Sequence, residues 1–194
     1  MAARLDRSFF QRNPLACAQE LLGCELVWGK CAGVIVETEL YGVVNDEACH
    51  TFSRAGARAF VEKHPAGTAY VYVNYGIHWL LNVLVKGGTE EGIILIRALE
   101  PTRGIPVMAQ RRGTNVLTAL CSGPGKLGQA LGITGQDHER DLCGGGPCHF
   151  RTRTEPVEVV TDVRIGITKA ADFPWRFLVK DHPCVSVKPK LARR

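Results

Sequence analysis

The run Val34-Ile-Val-Glu-Thr-Glu-Leu-Tyr-Gly42 sets carboxylates and a phenol into an otherwise apolar stretch. Read with period two, as a strand, Val34, Val36, Thr38 and Leu40 face one way, and Ile35, Glu37, Glu39 and Tyr41 face the other. An acid on such a strand sits against low-dielectric surroundings, which is costly unless the acid is paired, neutralised or used. His50 follows through a short polar segment. Carboxylate, imidazole and aromatic ring together suit a small aromatic pocket with an acid at its floor, activating water beside a flat bound group. The plainer reading of Glu39 is a strand acid salt-bridged to Arg97 or Arg54.

A second grouping is Tyr70-Val-Tyr-Val-Asn-Tyr-Gly76. Tyr70 and Tyr72 share one strand face, and Tyr75 falls at a hairpin tip, where a large ring is hard to bury. The rings either form a cross-strand ladder that stabilises a sheet, or make Tyr72 a stacking platform and Tyr75 a wedge between nucleic-acid bases. Ser122-Gly-Pro-Gly-Lys-Leu127 lacks the Gly-x-x-x-x-Gly-Lys-Ser/Thr spacing of a nucleotide-binding P-loop, so a nucleoside triphosphatase is rejected. A glycine-rich helix start with Lys126 still suits one backbone phosphate, the alternative being a plain turn with an exposed lysine.

The elements that must position these groups belong to a chain of 194 residues, long enough for one sizeable domain, taken as residues 1–194. With 45% hydrophobic and 22% charged residues, the composition is that of a globular protein with a real core. The net charge of +5 permits a polyanionic partner without demonstrating one. No apolar run is long enough to span a membrane, and Met1 to Arg12 mixes charge with Phe9 and Phe10 instead of forming a signal-peptide block. The expectation is an intracellular protein with no membrane contact. Its eight cysteines are then expected as reduced thiols. The best zinc set, His138, Cys143, Cys148 and His149, lacks paired Cys-x-x-Cys spacing, and no metal is expected.

Asn13 and Pro14 open a helix that Gly23 ends. Strands are expected over 25–28, 33–41, 69–74, 79–85 and 92–99, and late strands over 155–160, 163–167, 177–179 and 185–187. Helices are expected over 105–112 and 124–131, whereas 53–68 reads as a loop with at most one helical turn. Hairpin-joined strands with helices gathered around them give an α+β class: a curved, mostly antiparallel sheet, surrounding helices and a protruding β-hairpin.

In this setting the chain resembles the alkyladenine (3-methyladenine) DNA glycosylases. The matching pieces are 33–41, Asp46-Glu-Ala-Cys-His50, 70–76, Asn82-Val83 and Leu95-Ile-Arg-Ala-Leu-Glu-Pro101. They continue, in family order and over most of the chain, with 122–127, Gln129-Ala-Leu-Gly132, Arg164-Ile-Gly-Ile167 and Pro174-Trp-Arg-Phe177. The resemblance implies that Glu39 activates the attacking water and Arg97 helps to orient both. It implies that Tyr41 and Tyr72 sandwich an extruded purine that His50 contacts. Asn82 would disfavour the amino group of normal guanine, and Tyr75 would fill the gap left by the flipped nucleotide. The segment 53–67 departs from the family's Arg-Thr-x-Arg-Asn and Met-Phe pattern, with Arg54, Arg58 and Phe60 as partial substitutes; Leu40 and Cys49 also differ.

The expected function is a monofunctional DNA glycosylase of base excision repair that hydrolyses the N-glycosidic bond of flipped alkylated purines, with hypoxanthine a further candidate. No metal or organic cofactor is expected, and no lysine is placed for a Schiff-base lyase step. The implied partner is double-stranded DNA containing damaged purines, bound by a monomer. The location would be cytoplasmic and nucleoid-associated in a bacterium, nuclear in a eukaryote. One rival is a lesion-binding module of the same fold with impaired catalysis; another is a pocket enzyme using Glu39 and His50 on a free nucleoside.

Overall fold

Asn13 caps α1 (Pro14–Glu20): its Oδ1 accepts from the amides of Leu15 and Ala16, and Pro14 at the first turn has no amide to satisfy. Gly23, at φ 82°, turns the chain into β1 (Glu25–Trp28), which folds back as β2 (Cys31–Gly42). The computed structural model describes residues 2–190. The chain continues through α2 (His50–Ser53), α3 (Ala55–Lys63), β3 (Ala69–Asn74), β4 (His78–Val85) and β5 (Gly92–Arg103). After α4 (Ile105–Arg112), α5 (Leu117–Leu120) and α6 (Pro124–Leu131) come β6 (Cys148–Arg151), β7 (Val159–Asp162) and β8 (Arg176–Val179).

The strands form one curled sheet in the order β3-β4-β5-β2-β1-β6, with β8 also pairing with β2 and β7 with β8. Every pair among the described residues is antiparallel. The α+β class follows, with α1, α4, α5 and α6 on the face of the sheet that carries the main core and α3 packed against the other. β2 is hydrogen-bonded on both edges: β5 along one, then β1 and β8 in succession along the other. No helix among the described residues is long and apolar enough to cross a membrane.

Period-two alternation divides the sheet's side chains. Leu40, Val71, Leu81, Val83, Ile94 and Ile96 enter the main core, where they meet Ala18 of α1, Met108 of α4 and Leu127 of α6. Their neighbours Tyr41, Tyr70, Tyr72, Leu80, Asn82, Ile93 and Leu95 turn to the opposite face. There the register aligns Tyr70, Asn82, Leu95 and Glu39 in one row across four strands.

The alternation expected along β2 fails upstream of Glu37. Register shifts flank Glu37, leaving Val36 on β2 and Arg97 on β5 without a Cα partner in the β2–β5 ladder. Ile35 therefore packs in the main core with Leu40, whereas Val36 joins Ala98 and Cys184 in a separate cluster. Such bulges re-aim side chains; this one turns Arg97 toward the acids.

Other expectations are corrected. Residues 55–63 form the nine-residue α3, whose Ala57, Phe60 and Val61 recur at helical spacing and bury against Tyr70, Leu84 and Ile93. Strand β5 runs on through Pro101 to Arg103, β6 and the short α5 were not expected, and β7 starts only at Val159. The segments 163–167 and 185–187 are irregular and serve the site instead of the sheet. All eight cysteines are free thiols, seven of them buried. Of the basic tail 188–194, residues 191–194 lie outside the described residues.

Candidate active site

On the face opposite the main core lies a cavity of about 340 Å³, lined by Tyr41, His50, Tyr70, Tyr72, Asn82 and Arg97 among others. Its size falls at the lower end of the ~300–1,000 Å³ range of small-molecule sites. The sheet supplies Tyr41, Tyr70, Tyr72, Asn82, Leu95 and Arg97, Ala48 to His50 close one side, and Ile165 to Ile167 another.

Glu39 does not lie at the floor, as expected, but one layer behind the wall. Its side chain is fully buried, and three donors hold it: the Ile165 amide on Oε1 at 2.7 Å, and the Tyr41 hydroxyl and Arg97 Nη1 on Oε2 at 2.9 and 3.1 Å. All three donor residues line the cavity. The reason is the row that carries Glu39: its β5 neighbour Leu95 reaches the cavity, while the guanidinium of Arg97 and the ring of Tyr41 fold over the carboxylate. Among the described residues Oε1 accepts one hydrogen bond, which leaves a lone pair for a further donor. Burial raises the Glu39 carboxyl above the ordinary carboxylate range, and Arg97, the Ile165 amide and the Tyr41 hydroxyl draw it back down.

Arg97 spans two acids, with Nε 3.1 Å from Glu37 Oε1 as well as Nη1 on Glu39. Burial works against its cation, but Glu39 and Glu37 more than offset this and its pKa is raised. Glu37 also takes Arg176 Nε at 2.7 Å and both the amide and hydroxyl of Ser186, at 2.6 and 2.8 Å. Arg176 continues to Asp162 at 2.9 Å. Both readings of Glu39 thus meet in one geometry, a carboxylate salt-bridged to Arg97 and set against aromatic rings. Arg54 is no part of the ion pair; it is exposed at the start of α3.

The rings keep a neutral lining. Tyr41 is raised above the ordinary phenol value by burial and by Glu39, and burial pushes Tyr72 up to about 12. Burial, with Arg54 nearby, lowers His50 to about 4, so its imidazole is neutral at pH 7. His50 Nδ1 lies 3.1 Å from the Tyr70 hydroxyl, and its ring meets the Tyr72 ring at 4.4 Å, edge to face. Asn82 is buried in the wall, its Nδ2 donating to the Tyr70 carbonyl at 3.0 Å.

At the mouth, Tyr75, Gly76 and Ile77 join β3 to β4; Tyr75 and Gly76 both take left-handed conformations, at φ 50° and 71°, and the Ile77 amide donates to the Asn74 carbonyl at 3.2 Å. A tyrosine there costs about 1–2 kcal/mol, and its ring is 83% exposed, beside Ile77 at 71%. Lys126, exposed at the start of α6, lines a neighbouring cleft with Tyr75, His78 and Arg112. All eight residues singled out from the sequence therefore gather in and around one cavity, with Glu39 behind its wall, Tyr75 at its rim and Lys126 outside it.

Several participants carry no obvious signal on their own. Arg164 is fully buried, grips Asp46 with two hydrogen bonds at 2.6 and 2.9 Å, and lies 4.7 Å from the Tyr41 ring centroid. Asp46 in turn accepts from the amides of Gly42 and Ala48. This clamp ties the 165–167 wall to the 42–50 segment. Both residues fall within motifs that could have marked them; Ile165 acts through its backbone amide, which no side-chain type announces. Among the described residues, no group of three or more His, Cys, Asp or Glu is arranged to hold a metal.

Residues 8–183 match the family described as methylpurine-DNA glycosylase. A relative from Rhodopseudomonas palustris (strain CGA009) is 48% identical over 177 residues, 91% of this chain and 85% of that protein. Another from Agrobacterium fabrum (strain C58) is 44% identical over 184 residues, 95% of this chain and 93% of that protein. Both bear provisional names as 3-methyladenine DNA glycosylases.

Proposed function

Since this chain belongs to the methylpurine-DNA glycosylase family, we propose that it is a monofunctional DNA glycosylase, one domain over 1–194, acting as a monomer on damaged purines in double-stranded DNA. The substrates are alkylated purines of the 3-methyladenine type, with hypoxanthine a further candidate. The observation that carries the reading is the buried carboxylate of Glu39, held by three residues that all face one aromatic cavity.

In this reading the damaged nucleotide swings out of the duplex at a cost of a few kcal/mol, least at damaged pairs. Tyr75, on its strained and exposed tip, fills the vacated step, and Lys126 meets a backbone phosphate. The extruded base enters between Tyr41 and Tyr72, with His50 against its edge. Electron-rich rings favour an alkylated, cationic purine by about 0.5–2 kcal/mol. A neutral His50 does not repel that cation. Asn82 stands where the amino group of normal guanine would have to fit.

The glycosidic bond breaks toward an oxocarbenium-like sugar. A carboxylate behind the wall stabilises that charge, and its free Oε1 lone pair takes the proton of a water that Arg97 helps to orient. Water attacks the anomeric carbon, the base leaves, and an abasic site remains. The chain's own residues suffice for these steps, and no lysine amine enters them.

The test is release of free base from methylated duplex DNA. Glu39→Gln should fall about 10²–10⁴-fold in single turnover, with lesion binding retained; equal release by both proteins would end the assignment of Glu39. One observation favours the impaired-module rival, namely that Glu39 is fully buried under Tyr41. That rival binds lesions but shows no single-turnover release in wild type.

A further inference from the structure

β3, which carries Tyr70 and Tyr72, is the edge strand of the sheet, so its outward backbone groups need partners from elsewhere. The segment 138–140 supplies them. The Ala69 amide donates to the Arg140 carbonyl at 2.8 Å, and the Glu139 amide donates to the Ala69 carbonyl at 2.9 Å. The next outward donor, the Val71 amide, finds no carbonyl there; it donates to His138 Nδ1 at 3.1 Å. Val71 stands between the two cavity tyrosines. A side-chain nitrogen thus completes the backbone ladder at the strand position that sets the pocket wall.

The ring of His138 is held in place from both sides. Phe60 of α3 stacks on it with centroids 5.1 Å apart at 27°, and Tyr70 meets it edge-on at 5.5 Å. Tyr70 passes the contact on, through its hydroxyl to His50, whose ring touches Tyr72. Phe60 belongs to the segment that departs from the family pattern, which gives that segment a structural task.

We propose that His138 is a positioning residue for the base pocket: its neutral ring, with Nδ1 as acceptor, ties β3 to residues 138–140 and holds Tyr70 and Tyr72 at the wall. Protonation converts Nδ1 into a donor facing the Val71 donor, the rung opens, and the edge of β3 is released. The link to base binding rests on reading the cavity as the base pocket; the rung itself does not.

Burial opposes protonation, and the groups facing the ring divide. From α3 and its end come Phe60, Lys63 and His64; from β3, Tyr70; from its own segment, Asp137, Glu139 and Arg140. Asp137 is engaged by Arg140 at 2.7 Å and by the Thr134 amide at 2.9 Å. Glu139 is shared with Lys63 at 3.6 Å and with His64 at 3.1 Å, the latter without hydrogen-bond geometry. Burial lowers the His138 pKa, Glu139 raises it and His64 lowers it, for a net decrease. The sign is then fixed: the contribution is complete above the ordinary histidine value of about 6.5 and is lost as pH falls below it.

The experiment is amide hydrogen exchange on the isolated protein, read at Val71 as a protection factor corrected for intrinsic rate, alongside the NMR titration of the His138 ring. Between about pH 8 and about pH 5, wild-type protection should drop about tenfold in step with the ring, the size of one lost hydrogen bond. His138→Gln, whose amide oxygen accepts at every pH, should keep Val71 protected without a pH step. His138→Ala should be unprotected throughout and raise KM for a lesion duplex about tenfold, with single-turnover release from the bound complex unchanged. Val71 protection that ignores the ring titration, or that survives in His138→Ala, overturns the proposal. If His138→Ala does not fold, the comparison of wild type with His138→Gln decides. A wild type that releases no base from any duplex overturns the glycosylase reading alone, because the exchange result needs no substrate.

Discussion

The Tyr41 hydroxyl donates to Glu39 Oε2 at 2.9 Å, so the ring that walls the cavity also holds the acid behind it. A base that stacks on Tyr41 presses on a group bonded directly to the proposed general base. In the proposed mechanism, recognition and chemistry share one side chain.

Tyr41→Phe separates the two. The ring stays, and the donor to the carboxylate goes. In the proposed mechanism Glu39 acts as a base only when ionised, so activity should fall as pH drops through its titration. Removing a donor to the charged form moves that titration to higher pH. The acid limb of kcat should therefore shift upward, with KM for lesion duplex little changed. An unmoved limb would show that Tyr41 does not help set the charge of Glu39.

Arg97→Met removes the cation shared by Glu37 and Glu39 and leaves Arg176 to serve Glu37 alone. Breaking a buried pair typically costs about 3–5 kcal/mol. Urea unfolding should show a loss of that order, and the acid limb of any residual activity should rise by about one to three pH units. Wild-type stability in this variant would mean that the guanidinium is not needed to hold the two acids.

Tyr75→Gly probes the hairpin tip. Glycine relieves the left-handed backbone but loosens the unfolded chain, so stability should stay within about 1 kcal/mol of wild type. Lesion capture should fall by about tenfold or more, since stacking on one base is worth about 1–3 kcal/mol. Cleavage of an already extruded base should change far less. Unaltered duplex affinity and flipping would remove Tyr75 from the wedge role.

Asn82→Ser shortens a wall residue whose amide now reaches the Tyr70 carbonyl. The selectivity for damaged purine over guanine, measured as a ratio of kcat/KM on matched duplexes, should relax about tenfold. An unchanged ratio assigns that discrimination to another part of the wall.

Much of this site is legible in residue patterns because it is built on strands. Tyr70 and Tyr72 alternate with Val71 and Val73 in the sequence and in the sheet, and Asn74-Tyr75-Gly76 sits where the chain must turn. Asn13-Pro14 marks α1 by cap chemistry alone. What is not legible depends on distant partners. The bulge at Val36 has no local signal, because it is created jointly with Arg97, sixty-one residues on. α3 lacks a side-chain N-cap, and its helical face shows only once Tyr70 and Ile93 provide something to bury against. The strand pattern of 163–167 misleads for the opposite reason: its backbone is diverted to Glu39 and its Arg164 to Asp46.

The same diversion bears on how the molecule is made. The Ile165 amide, Arg176 and the Ser186 hydroxyl follow the acids they satisfy by 126, 139 and 149 residues, so Glu37 and Glu39 leave the ribosome well before them. Until those partners are made, the two acids on β2 have Tyr41 and Arg97 alone among their side-chain donors, and only the segment from Ile165 to Ser186 seals the strand. Translation order thus sets the sealing of this acid pair long after its synthesis.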